Sequence, residues 1–159
     1  MGTGYFLDRC RFPSSSPQIA LLDLNAQSLR FTEERIRRYR PVSYQGNVLE
    51  PVHLDLAPFQ SIGLNYVLHC LPGDMESKAR VFAHLRPLLA GGGVIFGATI
   101  LGEGVPRSRA ARLVMGLYNQ RGIFGNRRDT LAGLREALSG FGHVEIATRG
   151  CVALFAVRP

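Results

Sequence analysis

The sequence predicts an α/β fold built on a doubly wound, mostly parallel sheet. Apolar runs of strand-like composition alternate with amphipathic helical segments along the chain, which is typical of this class. The run at 18–24 is apolar almost throughout, as expected of a strand covered on both faces by helices. Two apolar runs at 144–148 and 151–157 are joined by Arg149 and Gly150, which predicts an antiparallel C-terminal hairpin.

The first part of the chain predicts two helices and two strands in alternation. A short helix over 5–12 leaves a glycine-containing turn, and a strand over 18–24 follows a loop rich in serine and proline. Asn25 is a suitable N-cap for the next helix, over 26–39. A short strand over 42–45 completes this part.

The rest of the chain continues the alternation up to the hairpin. The expected elements are a strand over 61–70, a helix over 75–89, a tight glycine turn at 91–93, a strand over 94–98, and helices over 107–118 and 130–139. No linker or internal repeat interrupts this order, so a single domain over 1–159 is expected.

Size and composition are those of a globular domain. The 159 residues contain 46% hydrophobic and 19% charged side chains, enough for a core, and no apolar run approaches the ~20 residues that a membrane span needs. The N-terminus has no signal-like apolar segment. Three cysteines, Cys10, Cys70 and Cys151, have no metal-ligand spacing, so no metal site is expected. Reduced, buried or half-buried thiols in a cytoplasmic protein are the interpretation we favour.

The positive charge is carried almost entirely by arginine. The formal net charge is +7, and Lys78 is the one lysine among 19 basic side chains. The densest basic run, 35–40, lies where the helix over 26–39 ends, and cations there complement the helix dipole. A solvated helix end is therefore favoured over a nucleic-acid contact, which stays open as an alternative.

The N-terminus carries half of a nucleotide-site pattern. Gly2, Thr3 and Gly4 precede a predicted helix, and Asp23 ends the next apolar run. In nucleotide-binding βαβ units a carboxylate about 20 residues after the glycine turn takes a ribose hydroxyl. Because only Met1 precedes Gly2, we expect the strand that carries such a turn, the first strand of the sheet, to be missing from this chain.

With these elements in order, the chain resembles the class I S-adenosylmethionine-dependent methyltransferases over nearly its whole length. The segments 64–73 and 85–93 resemble the family's fourth strand and the end of the helix before its fifth strand. The C-terminal hairpin stands where the family has its antiparallel strand. The resemblance implies a Rossmann-like fold, truncated inside the glycine-rich motif, and S-adenosylmethionine as the cofactor.

The resemblance also implies a cofactor site. The glycine turn would approach the methionine part of the cofactor, Asp23 the ribose hydroxyls, and the Asn47-Val48 pair the adenine, where the family usually has an aspartate. The cofactor-binding residues so implied are Gly2, Thr3, Gly4, Tyr5, Asp23, Leu24, Asn47 and Val48.

Methyl transfer from a sulfonium mainly requires alignment of the acceptor, so few catalytic residues are expected. His69, at the end of the strand over 61–70, is the candidate base; a structural role in the following turn is an equal alternative. The polar loop at 118–126 offers Tyr118, Asn119 and Phe124 as candidate substrate contacts, against a purely connecting role.

The expected function is S-adenosylmethionine-dependent methyl transfer to a small-molecule acceptor. The missing strand predicts weak cofactor binding by this chain alone, and a second copy or a partner chain could cover the gap. One alternative is a non-catalytic remnant that binds a partner, and another is an RNA methyltransferase, suggested by the arginine excess.

Overall fold

The computed structural model describes residues 3–159 and has the α/β architecture predicted from the sequence. The chain divides into two compact units, Met1–Asp55 and Leu56–Pro159. The single domain over 1–159 stays a prediction. In the described residues no strand precedes the first helix.

The N-terminal unit is a two-stranded parallel sheet with helices. Its elements are α1 (Tyr5–Arg9), β1 (Ala20–Asp23), α2 (Ala26–Arg35), a 3-10 turn (Arg37–Tyr39) and β2 (Val42–Gln45). β1 and β2 run parallel in a register that pairs Ala20 with Val42 and Asp23 with Gln45. Both strand ends therefore lie at one edge, where the loops that follow them meet.

Local chemistry explains where the helices of this unit begin and end. The Asn25 side chain accepts a hydrogen bond from the Gln27 N–H at 2.8 Å, so it caps α2 as predicted. The predicted helices over 5–12 and 26–39 are both too long. α1 ends at Arg9 because Cys10 is extended, and α2 ends at Arg35, after which the backbone of Ile36 leaves helical geometry.

A small apolar cluster holds the unit together. Its buried members come from β1, from α2 and from the residues beside them, and a partly buried set packs against them. The buried residues are Ile19, Leu21, Leu29 and Ile36, and the partly buried ones are Leu7, Phe12 and Tyr39. Burial of these side chains fastens α1 and α2 to the strand that ends in Asp23.

The C-terminal unit is a four-stranded mixed sheet in the order β3-β4-β6-β5. β3 and β4 are parallel, whereas β6 is antiparallel to both β4 and β5, so the predicted hairpin is confirmed. The strands are β3 (Phe59–Asn65), β4 (Leu89–Ile100), β5 (His143–Arg149) and β6 (Val152–Arg158), and the helices are α3 (Met75–Lys78), α4 (Arg80–Leu85), α5 (Arg109–Gln120) and α6 (Leu131–Ser139).

Three predicted elements of this unit need correction. The strand over 61–70 ends at Asn65 because Tyr66 takes a left-handed backbone with φ of 58°, and a 3-10 turn, Leu68–Cys70, follows. The helix over 75–89 is two short helices and a 3-10 turn that contains Pro87. The glycines at 91–93 lie within β4, opposite a register shift in β3.

The cysteines are free thiols, as expected, but their predicted burial is wrong for Cys10 and Cys70. Cys10 is exposed after the end of α1. Cys70 is exposed because its two neighbours in the 3-10 turn, Leu68 and His69, take the buried positions. Over the described range, no helix has both the length and the apolar character to cross a membrane.

Candidate functional site

The two strand ends of the N-terminal unit are joined by hydrogen bonds. The Gly46 N–H donates to the Asp23 carbonyl at 3.2 Å, and the Gln45 side-chain amide donates to the Leu24 carbonyl at 3.2 Å. These contacts bring the Asp23 carboxylate and the turn that contains Asn47 to the same edge of the sheet. Ligands of open α/β sheets bind at the carboxyl ends of the strands, which is the edge occupied here.

The Asp23 side chain is half-buried and oriented by the start of α2. Its Oδ1 accepts a hydrogen bond from the Asn25 N–H at 2.9 Å. A carboxylate held in this way by the backbone keeps its rotamer before a ligand arrives. It is suited to accept hydrogen bonds from hydroxyl groups.

The Asn47 side chain orders its own turn. Its Oδ1 accepts from the Leu49 N–H at 3.1 Å, and its Nδ2 donates to Glu50 Oε1 at 3.2 Å. Asn47 and Val48 are both half-buried at this edge. The predicted contact of the Asn47 amide with a base edge would therefore compete with the hydrogen bonds within the turn.

Gly4 precedes α1 in a conformation that requires glycine. Its φ is 70°, and a Cβ built on it would lie 2.7 Å from Thr32 Cγ2 in α2. Beside it, the exposed Thr3 hydroxyl accepts from Arg35 Nη1 at 3.2 Å. The predicted contribution of Gly2 lies outside the described residues. The turn is thus packed directly on α2, with no side chain between them.

Tyr5 and Leu24, the other predicted cofactor contacts, are exposed. Tyr5 is 50% exposed and Leu24 67% exposed. The Arg9 guanidinium lies 4.0 Å from the centroid of the Tyr5 ring. Both side chains present apolar surface to solvent, and their predicted roles stay predictions.

The basic run at 35–40 is exposed, but its side chains are not merely solvated. Arg38 Nη1 pairs with Asp8 Oδ1 at 2.5 Å and holds the pKa of that carboxyl below its ordinary value. The same guanidinium lies over the Tyr39 ring, and Arg37 pairs with Glu34 at 2.6 Å. The pair of Arg38 and Asp8 links the 3-10 turn after α2 to α1.

In the C-terminal unit, His69 lies beyond the end of β3, in the turn Leu68–Cys70, and not in a strand as predicted. It is 3% exposed. Its ring makes edge-to-face contacts with Tyr66 and Phe124, at centroid distances of 5.8 and 4.7 Å. The Nδ1 atom is buried without a hydrogen-bond partner.

Burial lowers the pKa of His69 to about 4, and the positive charge of Lys78 adds to the effect. The imidazole is therefore uncharged at neutral pH. A general base is most effective when its pKa lies near the working pH. An imidazole with a pKa of about 4 is therefore a weak proton acceptor at neutral pH. The low pKa disfavours proton abstraction by His69.

Tyr118 lies in a helix as predicted, but α5 continues through Asn119 to Gln120, so the start of the predicted loop at 118–126 is helical. Asn119 Nδ2 donates to the Met115 carbonyl and to Asn126 Oδ1, both at 2.9 Å, so its amide stabilises the end of α5. Phe124 is half-buried and meets the Tyr118 ring edge to face at 5.1 Å. His69, Phe124 and Tyr118 thus form one aromatic cluster.

A cavity of about 400 Å³ adjoins this cluster. Phe124 and Asn119 line it, together with residues of the segments 73–77 and 125–128. These are Gly73, Asp74, Ser77, Gly125, Arg127 and Arg128. Two of the three predicted substrate contacts therefore reach a cavity large enough for a small molecule.

Two residues with a central place in this unit were not predicted. Lys78 and Asp129 are fully buried and form an ion pair of 2.6 Å. The one available signal was that Lys78 is the single lysine of an arginine-rich chain. Within residues 3–159, no cluster of acidic, histidine or cysteine side chains could hold a metal ion.

Comparison with known proteins places this architecture in a family. No protein-family profile matches the chain. Demethylluteothin O-methyltransferase from Streptomyces thioluteus is 41% identical over 156 residues, which cover 98% of this chain and 68% of that protein. The chain belongs to the class I S-adenosylmethionine-dependent methyltransferases.

Solved structures show the same fold. An O-methyltransferase family 2 protein from Planctomyces limnophilus, solved with apigenin, aligns with a TM-score of 0.70 at 17% identity, over 99% of this chain and 48% of that one. LepI, solved with S-adenosylmethionine, aligns with a TM-score of 0.68 at 14% identity, over 99% and 41%. The chain thus spans less than half the length of these two proteins.

Proposed function

We propose that this chain carries out S-adenosylmethionine-dependent methyl transfer to an oxygen atom of a small molecule. The observation that carries the proposal is the position of Asp23, a half-buried, backbone-oriented carboxylate at the shared edge of two parallel strands. The acceptor atom is proposed from the 41% identity to an O-methyltransferase. The three free cysteines support a cytoplasmic location.

The residues of the N-terminal unit fit the proposed cofactor. Gly4 lets the turn pack directly against Thr32 of α2, since a Cβ there would lie 2.7 Å from Thr32 Cγ2. Asp23 offers acceptors for the ribose hydroxyls, and the half-buried Val48 offers apolar surface to an adenine ring. When bound, the cofactor supplies an electrophilic methyl group.

For the acceptor, the C-terminal unit supplies an aromatic surface and a cavity. Phe124 belongs to the aromatic surface and also lines the cavity. The uncharged His69 ring packs edge to face against it. The Phe124 ring favours a planar acceptor, and the polar and charged side chains that also line the cavity favour one with polar substituents. We therefore assign Phe124 to acceptor contact and His69 to its orientation.

The proposal is tested by photocrosslinking of radiolabelled S-adenosylmethionine to the full chain. Asp23→Asn removes the charge while keeping the shape, and we expect at least a tenfold loss of labelling. Asp55→Asn, at an exposed carboxylate of the same unit, is the matched control and should label like the wild type. Equal labelling of Asp23→Asn and the wild type would contradict the cofactor site.

A partner-bound form is a second candidate, favoured by the sheet edges. In the part of the chain that is described, β1 pairs only with β2, and β3 only with β4, so each strand leaves one edge open. Open edges are templates for pairing with another chain. Light scattering coupled to size exclusion would show a defined complex if a second chain completes the sheet, and a monomer at all concentrations if none does.

A further inference from the structure

We propose that Lys78 is a positioning residue, whose buried ammonium group holds the segment 124–129 against the turn that carries His69. The inference rests on the proposed function for its catalytic meaning, since Phe124 and His69 are the residues assigned to the acceptor. Its structural content is independent of that assignment.

The ammonium group of Lys78 has three donors, and all of them are used. Nζ donates to Asp129 Oδ1 at 2.8 Å, to Asp129 Oδ2 at 2.6 Å and to the Gly125 carbonyl at 3.0 Å. The side chain is completely buried, as is that of Asp129. One cation therefore ties α3 to two points of a loop that lies 47 and 51 residues further along the chain.

Gly125 connects Lys78 to His69 through two hydrogen bonds made by its backbone. Its carbonyl accepts from Lys78, and its N–H donates to the His69 carbonyl at 2.8 Å. A Cβ on Gly125 would lie 2.2 Å from the Leu71 carbonyl oxygen, so the two segments touch backbone to backbone. Phe124, the preceding residue, is thereby placed with its ring 4.7 Å from the imidazole.

Asp129 is in turn anchored to the end of β4. Its carbonyl accepts from the N–H groups of Gly102 and Glu103, at 2.9 and 3.1 Å, and its own N–H donates to the Asn126 carbonyl. Asn126 Nδ2 donates to the Ile100 carbonyl at 2.8 Å. Asp129 is thus the fixed member of the ion pair. Through its hydrogen bond to Gly125, Lys78 holds Phe124 and His69 in place relative to Asp129.

The positive charge of Lys78 also acts on the imidazole of His69, so the pKa of His69 can be used to test the inference. On the segment of His69 itself the titratable groups are Tyr66 and Cys70, and burial raises the pKa of the Cys70 thiol. β4, which packs against this segment, has no ionisable side chain. The segment 119–129 brings exposed Arg121, Arg127 and Arg128, screened by solvent, and Asp129, paired with Lys78. Lys78 is the charge that lowers the pKa of His69 in addition to burial.

The test is an NMR titration of the His69 Cε1–H in the full chain, assigned with His69→Gln. Lys78→Met/Asp129→Asn replaces the ion pair by uncharged groups of similar size, and Asp129→Asn alone keeps the cation. We expect the pKa of His69 to rise in the double variant and to stay at or below the wild-type value in Asp129→Asn. The ring-current shift that the Phe124 ring induces at the His69 Cε1–H should become smaller in the double variant.

A rise of the His69 pKa in both variants would mean that the loop has simply opened, and no rise in either would mean that Lys78 does not act on the ring. Each result would overturn the inference. Circular dichroism of both variants checks that they are folded. Crosslinking of labelled cofactor to the double variant should match the wild type, so loss of the proposed function is distinguishable from loss of the positioning contact.

Discussion

The ring of Phe124 stands edge to face on the buried imidazole of His69, and the two residues are also joined through the backbone of Gly125. The contact links a turn that follows β3 to a loop that follows α5. The imidazole is excluded from water by this loop, and its exclusion is the main cause of its low pKa. Stability, protonation and the proposed acceptor surface therefore depend on the same contact.

The first prediction concerns the pH dependence of stability. The pKa of His69 is about 4 in the folded chain and 6.5 as an ordinary value, so between these limits the unfolded chain binds more protons. Stability is therefore fully present above pH 6.5 and is lost as the pH falls towards 4. At about 1.4 kcal/mol per pKa unit, the loss is on the order of 3 kcal/mol.

Urea unfolding of the wild type and of His69→Gln at a series of pH values measures this effect. The difference in unfolding free energy between the two should shrink as the pH falls from 7 to 4. His53→Gln, at an exposed histidine, should follow the wild type throughout. Parallel curves for the wild type and His69→Gln would show that His69 does not carry this proton linkage.

The second prediction concerns Phe124 itself. Phe124→Ala removes edge-to-face contacts with His69 and Tyr118, and such contacts contribute about 0.5–1.5 kcal/mol each beyond the buried area. We expect a loss of about 2 kcal/mol in unfolding free energy and a higher pKa of His69. Ile123→Ala, at a neighbouring exposed side chain, should change stability by less than about 0.5 kcal/mol.

The third prediction concerns the glycine turn. Gly4→Ala places a Cβ 2.7 Å from Thr32 Cγ2 on a backbone with φ of 70°, so it should destabilise the N-terminal unit by about 1–2 kcal/mol. Gly91→Ala is the control, because a Cβ there meets no atom within 4 Å. Thermal unfolding of the two variants should separate them; equal melting temperatures would contradict the packing of Gly4 on α2.

The fourth prediction concerns the buried ion pair. Asp129→Ala leaves the Lys78 ammonium buried without its counter-ion, which costs about 3–5 kcal/mol. The double variant Lys78→Met/Asp129→Asn should lose much less, because both charges are removed together. A double-mutant cycle of the wild type, Lys78→Met, Asp129→Asn and the double variant measures the coupling in unfolding free energy. Additive losses would show that the two residues do not act as a pair.

Much of the fold followed from local sequence. Asn25 caps α2 as predicted, and the strand over 42–45 has the predicted bounds. The hairpin over β5 and β6 follows from two apolar runs with a short connection. These features were predictable because each depends on residues that are neighbours in the chain.

The prediction of the site was less complete, for a physical reason. Asp23 lies at a strand end as expected, because alternation and apolar content locate strands. His69 was placed in a strand, since nothing in the neighbouring sequence indicates the left-handed backbone of Tyr66 that ends β3. The exposed Cys70 and the helical position of Asn119 escaped prediction in the same way.

The class of fold, the order of its elements and, through the resemblance they carry, the family follow from the sequence alone. These depend on hydrophobic periodicity, capping residues and turn chemistry, which act over a few residues. The pairing of Lys78 with Asp129 and the burial of His69 against Phe124 arise only in the folded chain. Such contacts join residues about 50 positions apart, and desolvation, which lowers the pKa of the imidazole, exists only once the chain has closed around it.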